Sequence, residues 1–232
     1  MIANIERESL DDAFRRVRDL DVSLREQLRA FAETVRRDRP EFAAAVDRLV
    51  MRLRRYRAGE SAPQIGEPMP PFVLPDETGQ MVSLDDLLDR GPVAVTFHRG
   101  HWSPYCLINI NALAQAHKEL SADGGQIIAI MPDRRKFVAD LKLQSNVPFP
   151  ILSDKDNGYA LSLNLTIWVG TEIQHMMEGR LDLPTFQGNS SWMLPIPATF
   201  VVSRDGFIRA RFIDADYRKR MMIADMIAAM RS

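Results

Sequence analysis

The 232-residue sequence contains a single cysteine, Cys106. One cysteine excludes a disulfide within the chain and a multi-cysteine metal site, so any thiol redox chemistry must use one sulfur. The four histidines do not show the spacing of a metal-ligand set, and we predict neither a metal nor another cofactor. The sequence also lacks an apolar run near the roughly 18 residues of a membrane helix.

An excess of charge of one sign is missing too. The formal net charge is −1, which argues against nucleic acid or an anionic membrane as a partner. The N-terminus lacks the basic and then apolar layout of a secretory signal, so we expect a cytoplasmic protein. There is no phosphate-binding glycine loop and no Gly-x-Ser-x-Gly motif.

Residues 1–58 contain no glycine and no lysine and are predicted to form an all-helical extension. Ser23 and Glu26 have the spacing of a capping box, and Pro40 suits the first position of a helix. The arginines alternate with acids, which favours a solvated helical face over a nucleic-acid-binding arm. Two apolar stripes must pack on the main domain or on a second copy: Leu24, Leu28 and Phe31, and Val46, Leu49 and Leu53. We predict a homodimer, the commonest symmetric assembly.

Residues 59–71 are rich in glycine and proline, and we predict that they form a linker. Residues 72–232 alternate strands with helices, a pattern typical of a layered α/β domain. The predicted strands include a hairpin at 72–83, buried strands at 92–97 and 126–131, and a second hairpin at 199–213. The predicted helices are 105–120, 134–144 and 216–230.

The most informative stretch is 97–106, Phe-His-Arg-Gly-His-Trp-Ser-Pro-Tyr-Cys. It connects the end of a central strand to the start of a helix. In open α/β sheets, binding and catalytic sites form at the carboxyl ends of the strands, so this position suits a functional site. Cys106 falls in the first helical turn, where free N–H groups and the helix dipole favour a thiolate. Arg99, His98 and His101 are nearby cations that would favour it further. The alternative is an inert, buried thiol that packs in the core.

This stretch resembles the signature of peroxiredoxin-like proteins of the alkyl hydroperoxide reductase/thiol-specific antioxidant (AhpC/TSA) family, Phe-Tyr-Arg-Gly-Gly-Trp-Cys-Pro-Tyr-Cys. Segments 66–75, 149–154, 191–200 and 216–217 resemble further parts of the family. The resemblance implies a thioredoxin-like fold, in which helices flank a central mixed β-sheet, here with the N-terminal all-helical extension.

The differences from the family fall at the reactive centre. Ser103 stands where the two-cysteine version has its first cysteine, yet Ser103-x-x-Cys106 fits the peroxidatic pattern of ordinary peroxiredoxins. The arginine that those enzymes carry on a later strand aligns with Pro197, which resembles the cis-proline of thioredoxins. An X–Pro bond is the usual place for a cis peptide, and we predict one at Ile196–Pro197.

The resemblance implies a one-cysteine thiol peroxidase that reduces hydrogen peroxide or organic hydroperoxides. Cys106 would become a sulfenic acid, Ser103 would position the peroxide, and Arg99 would stabilise negative charge. An external thiol such as thioredoxin or glutathione would restore the thiol. We expect these residues to line the substrate pocket: Trp102, Pro104, Tyr105, Trp192 and Pro197. The rival hypothesis is a catalytically degenerate thioredoxin-fold protein that acts as a redox sensor or binding module; a dithiol oxidoreductase is nearly excluded by the cysteine count.

Overall fold

The computed structural model describes residues 9–231, apart from the side chain of Asp123. The strands of this part of the chain are β1 (Val73–Pro75), β2 (Met81–Ser83), β3 (Val93–Phe97), β4 (Gln126–Met131), β5 (Ile151–Ser153), β6 (Thr166–Trp168), β7 (Met193–Pro195), β8 (Ala198–Val202) and β9 (Ile208–Ile213). Its α-helices are α1 (Leu10–Arg18), α2 (Leu24–Asp38), α3 (Pro40–Arg55), α4 (Leu84–Leu88), α5 (Pro104–Gln115), α6 (His117–Leu120), α7 (Arg135–Ser145), α8 (Gly158–Ser162), α9 (Thr171–Met177), α10 (Leu183–Gln187) and α11 (Ile223–Met230).

A five-stranded mixed sheet forms the centre of the fold, in the order β5-β4-β3-β8-β9. Strands β3, β4 and β5 are parallel, whereas β8 runs antiparallel to both β3 and β9. Every residue of β3 is buried, because Val95 and Phe97 pack on one face of the sheet and Ala94 packs on the other. The unbroken apolar run that predicted a doubly covered central strand is therefore explained.

The predicted hairpins are also present, since β1 pairs with β2 and β8 pairs with β9. The helix predicted at 105–120 is divided at Ala116, the residue between α5 and α6. None of the helices in residues 9–231 combines the length and apolar character that crossing a membrane requires.

The N-terminal helices pack on the same chain. Phe31 of α2 is 1% exposed and lies in one apolar cluster with Tyr105 and Ile108 of α5. Leu49 of α3 is likewise buried, in a cluster with Trp192. Because the domain itself covers both apolar stripes, they do not require a second copy, and the reasoning behind the homodimer loses its basis. The homodimer itself stays a prediction.

The helix predicted from residue 216 is wrong over its first turns, because α11 begins at Ile223. The carboxylate of Asp214 accepts the backbone N–H of Asp216, and the carboxylate of Asp216 accepts the backbone N–H of Arg218. Side-chain bonds of this kind offer the backbone an alternative to helical hydrogen bonds. Residues 214–222 therefore form an irregular segment, which we call the C-terminal arm.

The predicted cis peptide bond is also wrong, since no peptide bond among the described residues is cis. Pro197 is buried between β7 and β8, and the bond before it is trans. The trans form is the lower-energy isomer of an X–Pro bond by about 0.5–1 kcal/mol. The likeness to the thioredoxin proline therefore does not extend to its geometry.

Candidate active site

The loop between β3 and α5 is built by its own sequence. Gly100 has a φ of 143°, and a Cβ added there would lie 2.4 Å from Nε1 of Trp102 and 2.9 Å from Oδ1 of Asp133. Only glycine fits this position. Ser103 is the N-cap of α5 and Pro104 is its first residue, a position that favours proline. The predicted placement of Cys106 in the first turn of a helix is confirmed.

Cys106 is fully buried, with 0% of its surface exposed. Two donors point at its sulfur: the backbone N–H of Arg99 lies 3.3 Å from Sγ, and Nη2 of Arg220 lies 3.4 Å from it. Both bonds stabilise negative charge on the sulfur, as does the N-terminus of α5. The arrangement suits a thiolate held in the closed protein.

Arg220 is the residue that sequence reasoning missed. It is 7% exposed and reaches the thiol from the C-terminal arm, where its Nη1 donates to the carbonyl oxygens of Tyr217 and Lys219. Burial lowers the pKa of Arg220, and the neighbouring Cys106 opposes that shift. Since the arm was predicted to be helical, no sequence signal placed this guanidinium beside a cysteine 114 residues away.

Arg99 acts on the site in a different way from the one predicted. Its backbone contacts the sulfur, while its guanidinium lies 4.0 Å from the ring centre of Tyr217 and 5.5 Å from that of Trp102. Burial raises the pKa of Tyr217, and the charge of Arg99 opposes that shift. The guanidinium is thus held among aromatic rings by cation–π contacts.

Aromatic rings cover the first turn of α5. The ring of Tyr105 packs edge-on against the rings of Phe31 and Tyr217, with distances between ring centres of 5.1 Å and 5.4 Å. Burial raises the pKa of Tyr105, so its hydroxyl stays protonated. The N-terminal extension and the C-terminal arm therefore both reach the helix that carries Cys106.

The other predicted residues are distributed around this centre. Ser103 is 1% exposed, but its side chain makes no capping bond to α5. Trp102 and Trp192 belong to the apolar cluster that α3 completes. Pro197 and Pro104 lie at element boundaries, before β8 and at the start of α5. The roles of these residues in binding substrate stay predictions.

His98 is a neutral hydrogen-bond donor and not the cation suggested by its position in the sequence. The hydroxyl of Thr96 donates to the carbonyl of Ile128 at 2.8 Å, so Nε2 of His98 must donate to that hydroxyl at 2.9 Å. Nδ1 is then unprotonated, and it is buried without a hydrogen-bond partner in the described part of the chain. Burial, helped by the charge of Arg220, lowers the pKa of His98 to about 3.

His101 is engaged elsewhere. Its Nδ1 lies 2.8 Å from the buried carboxylate of Asp133, and its ring stacks on Phe137 at 5.1 Å. Phe186 meets the same ring edge-on at 4.6 Å. Its imidazole is therefore oriented by a carboxylate and two aromatic rings.

The fold is thioredoxin-like and is shared with solved peroxiredoxins. A crystal structure of the peroxidoxin BcpB from Mycobacterium tuberculosis superposes with a TM-score of 0.56 at 21% identity, covering 72% of this chain and 96% of that one. The family model for the AhpC/TSA family matches residues 65–211. The chain belongs to the AhpC/TSA family.

Relatives agree with this assignment. A Mycobacterium tuberculosis protein provisionally named a peroxiredoxin is 32% identical over 143 residues, which cover 62% of this chain and 80% of the relative. A Coxiella burnetii protein with a similar provisional name is 34% identical over 94 residues, 40% of this chain and 62% of the relative. The chain thus spans less than two thirds of the Coxiella relative. In both comparisons a large part of this chain lies outside the matched region.

Proposed function

We propose that this protein is a one-cysteine thiol peroxidase whose reactive group is Cys106. The observation that carries the proposal is the sulfur at the start of α5, with N–H donors from Arg99 and Arg220 aimed at it. Membership of the AhpC/TSA family and the peroxiredoxin names of its relatives support the same chemistry.

The reaction follows from the charges around the sulfur. The thiolate of Cys106 attacks the terminal oxygen of a hydroperoxide, so that an S–O bond forms as the O–O bond breaks. Sulfur is oxidised to a sulfenic acid, and the leaving alkoxide or hydroxide takes up a proton to give alcohol or water. The guanidinium of Arg220 stabilises the negative charge that moves from sulfur to the leaving oxygen.

Regeneration needs a thiol from outside the chain, because Cys106 is the only cysteine. A reductant thiolate attacks the sulfenic sulfur, so that an S–S bond forms as the S–O bond breaks, and the leaving hydroxide takes up a proton to give water. A second reductant thiolate then releases Cys106 as a thiolate and leaves the reductant as a disulfide. A thiol of the thioredoxin or glutathione class meets these requirements.

One observation favours the rival function, a redox sensor or binding module. The sulfur of Cys106 has no exposed surface, and reactive cysteines are usually partly accessible. A peroxidase must therefore expose the sulfur by displacing a side chain that covers it. A sensor would instead react slowly and stay oxidised.

The decisive experiment measures the rate at which hydrogen peroxide oxidises Cys106. We expect wild-type protein to give a dimedone adduct of one sulfenic acid within the time of a stopped-flow experiment, and to turn over with an added thiol. Cys106→Ser should give neither adduct nor turnover. Turnover that survives in Cys106→Ser contradicts the assignment, and an adduct that forms only over hours favours the sensor.

We also propose a homodimer, supported by apolar surface other than the two stripes. Tyr56, directly after α3, is 74% exposed, and Met51, on α3, is 61% exposed. Arg52 of the same helix packs over the ring of Trp168, which is itself 46% exposed. Large apolar side chains grouped on a surface are typical of a contact site. Sedimentation should show a dimer at micromolar concentration, which Tyr56→Glu should convert to a monomer; a wild-type monomer would exclude it.

A further inference from the structure

A cavity of about 510 Å³ lies between α2 and the C-terminal arm. Its size is within the range of small-molecule sites, about 300–1,000 Å³. Its lining residues fall in two ranges, 25–32 and 212–220, and both are outside the residues 65–211 that match the family. The cavity is therefore built by the extensions of this chain.

The lining combines apolar and cationic side chains. Leu28, Ala32 and Phe212 supply the apolar wall. Five cations outnumber two carboxylates, Asp214 and Asp216, around it: Arg25, Arg29, Arg218, Lys219 and Arg220. A ligand with an apolar body and a negative charge would match both properties.

Several of these cations already have partners. Lys219 pairs with Asp214 at 2.9 Å, and Arg218 pairs with Asp216 at 2.7 Å. Arg29 pairs with Glu33 at 2.9 Å, but both side chains are exposed, which makes the pair weak. Arg25 forms no ion pair with any other described residue. Arg25 and Arg29 are thus the charges available to an incoming anion.

Arg220 connects the cavity to the thiol. It lines the cavity, and its Nη2 donates to Sγ of Cys106. Its Nε is buried and has no hydrogen-bond partner among residues 9–231, which leaves an unsatisfied donor on a residue that lines the cavity. This one side chain therefore links the cavity to the sulfur.

We propose that the cavity binds hydroperoxides that carry a carboxylate on an apolar body. The carboxylate contacts Arg25 and Arg29, the apolar body lies on Leu28 and Phe212, and the peroxide group points to Arg220 and the sulfur behind it. This inference rests on the proposed peroxidase function. It adds a specificity site, formed by residues outside the matched family region, that selects anionic over neutral substrates.

Binding can be tested without the reaction. Titration calorimetry of full-length Cys106→Ser protein with para-isopropylbenzoate, an unreactive carboxylate, should show one site. Arg25→Gln/Arg29→Gln should weaken that binding roughly fivefold, the effect of losing two exposed ion pairs. Arg15→Gln is the matched control, because Arg15 lies on α1, is exposed and does not line the cavity. No binding, or equal binding by the double variant, overturns the site.

Kinetics then test the substrate. Wild-type protein should reduce para-carboxy cumene hydroperoxide with a higher kcat/KM than cumene hydroperoxide, and added salt should reduce the difference. Arg25→Gln/Arg29→Gln should lower only the value for the carboxylate, leaving hydrogen peroxide and cumene hydroperoxide unchanged. Equal values for the two hydroperoxides in wild type overturn the selectivity while leaving the peroxidase intact. A protein inert to every hydroperoxide overturns the proposed function and this substrate, even where para-isopropylbenzoate binds.

Discussion

Two regions of the molecule meet at the same sulfur, and they are specified in different ways. The 97–106 stretch takes its shape from its own residues: an apolar strand, Gly100 in a conformation closed to other residues, and Pro104 at the start of α5. The C-terminal arm takes its shape from carboxylates that bind backbone N–H groups. Each region then supplies one donor to Cys106.

One region therefore determines where the thiol lies, and the other supplies the charge beside it. Local sequence places Cys106 in the first turn of a helix. The charged donor comes from Arg220, which only the tertiary structure brings there. The predictions below test whether the two regions depend on each other.

The largest expected effect is on stability, at the contact that joins both regions to the N-terminal helices. Phe31 is 1% exposed and packs on Tyr105, which in turn packs on Tyr217 of the arm. We expect Phe31→Ala to lower the free energy of unfolding by about 3–5 kcal/mol, since it leaves a cavity in a covered core. Urea denaturation measures this loss. Phe207→Ala, at a side chain that is 42% exposed, should cost much less. Equal losses would show that the extension does not support the site.

The second prediction separates the two arginines. Arg220→Met removes a side-chain donor from the sulfur, and we expect it to slow oxidation by hydrogen peroxide about 100-fold, the effect of losing one well-placed donor. Arg99→Met keeps the backbone N–H that contacts the sulfur, so its rate should fall about tenfold at most. Stopped-flow rates at one pH make the comparison. A larger loss of rate in Arg99→Met than in Arg220→Met would show that the main stabilising charge comes from the 97–106 stretch.

The sequence was sufficient for elements whose pattern is local. The apolar run of β3 was predicted as a buried strand, and the helix predicted from residue 105 begins one residue earlier, at Pro104. The capping box at Ser23 and Glu26 is likewise present at the start of α2. Some elements are too short for such a pattern: helices α9 and α10 and strands β6 and β7 have seven residues or fewer. Their apolar residues show no clear periodicity.

The errors arose where hydrogen bonds or packing contacts override the pattern of apolar residues. The apolar spacing of the C-terminal residues favoured a helix from residue 216. The side-chain bonds of Asp214 and Asp216 hold the first residues in another conformation, so the helix begins later. The apolar stripe of α2 suggested a second chain, whereas Tyr105 and Ile108 cover it. The bonds of Asp214 and Asp216 join near neighbours in sequence, and the apolar spacing outweighed them in the prediction. The residues that cover α2 are distant in the chain, and Arg220 was missed because its contact with Cys106 is equally distant.

The third prediction concerns pH and uses the contact between the two regions. Burial and the charge of Arg220 lower the pKa of His98 to about 3, against about 6.5 in an unfolded chain. Below pH 6.5 the unfolded state therefore binds a proton at His98 that the folded state does not bind. The free energy of unfolding falls as the pH decreases towards 3. At pH 5 this loss is about 2 kcal/mol. His98→Gln, which cannot take up that proton, should lose correspondingly less stability between pH 7 and pH 5.

The control for this effect removes another imidazole. His117→Gln deletes a part-buried ring on α6 that lies 3.1 Å from the hydroxyl of Ser121. Urea denaturation at pH 7 and at pH 5 compares this variant with wild type and with His98→Gln. Parallel curves for His98→Gln and wild type would contradict a neutral, buried His98.

The smallest effect is expected from a change inside the 97–106 stretch alone. Ser103 and Cys106 are the N-cap and third residue of α5, and the N–H of Cys106 donates to the carbonyl of Ser103 at 2.9 Å. Residues three apart on a helix have Cβ atoms about 5–6 Å apart, and a disulfide needs about 3.5–4.5 Å, so a small tightening of the turn would join them. Ser103→Cys should therefore lose two hydrogens by intact mass under mild oxidant and become a substrate for a thioredoxin-type reductant.

The same variant also tests the role of the Ser103 hydroxyl. If that hydroxyl positions peroxide, Ser103→Cys and Ser103→Ala should both react more slowly with hydrogen peroxide in the first step, by up to about tenfold, the upper range for one neutral hydrogen bond. Only Ser103→Cys should then close a disulfide. Two thiols that stay free under oxidant would mean that the first turn of α5 is too rigid to tighten. In that case, opening of the buried sulfur does not come from the helix that carries Cys106, and the C-terminal arm, whose Arg220 contacts the sulfur, becomes the next element to test.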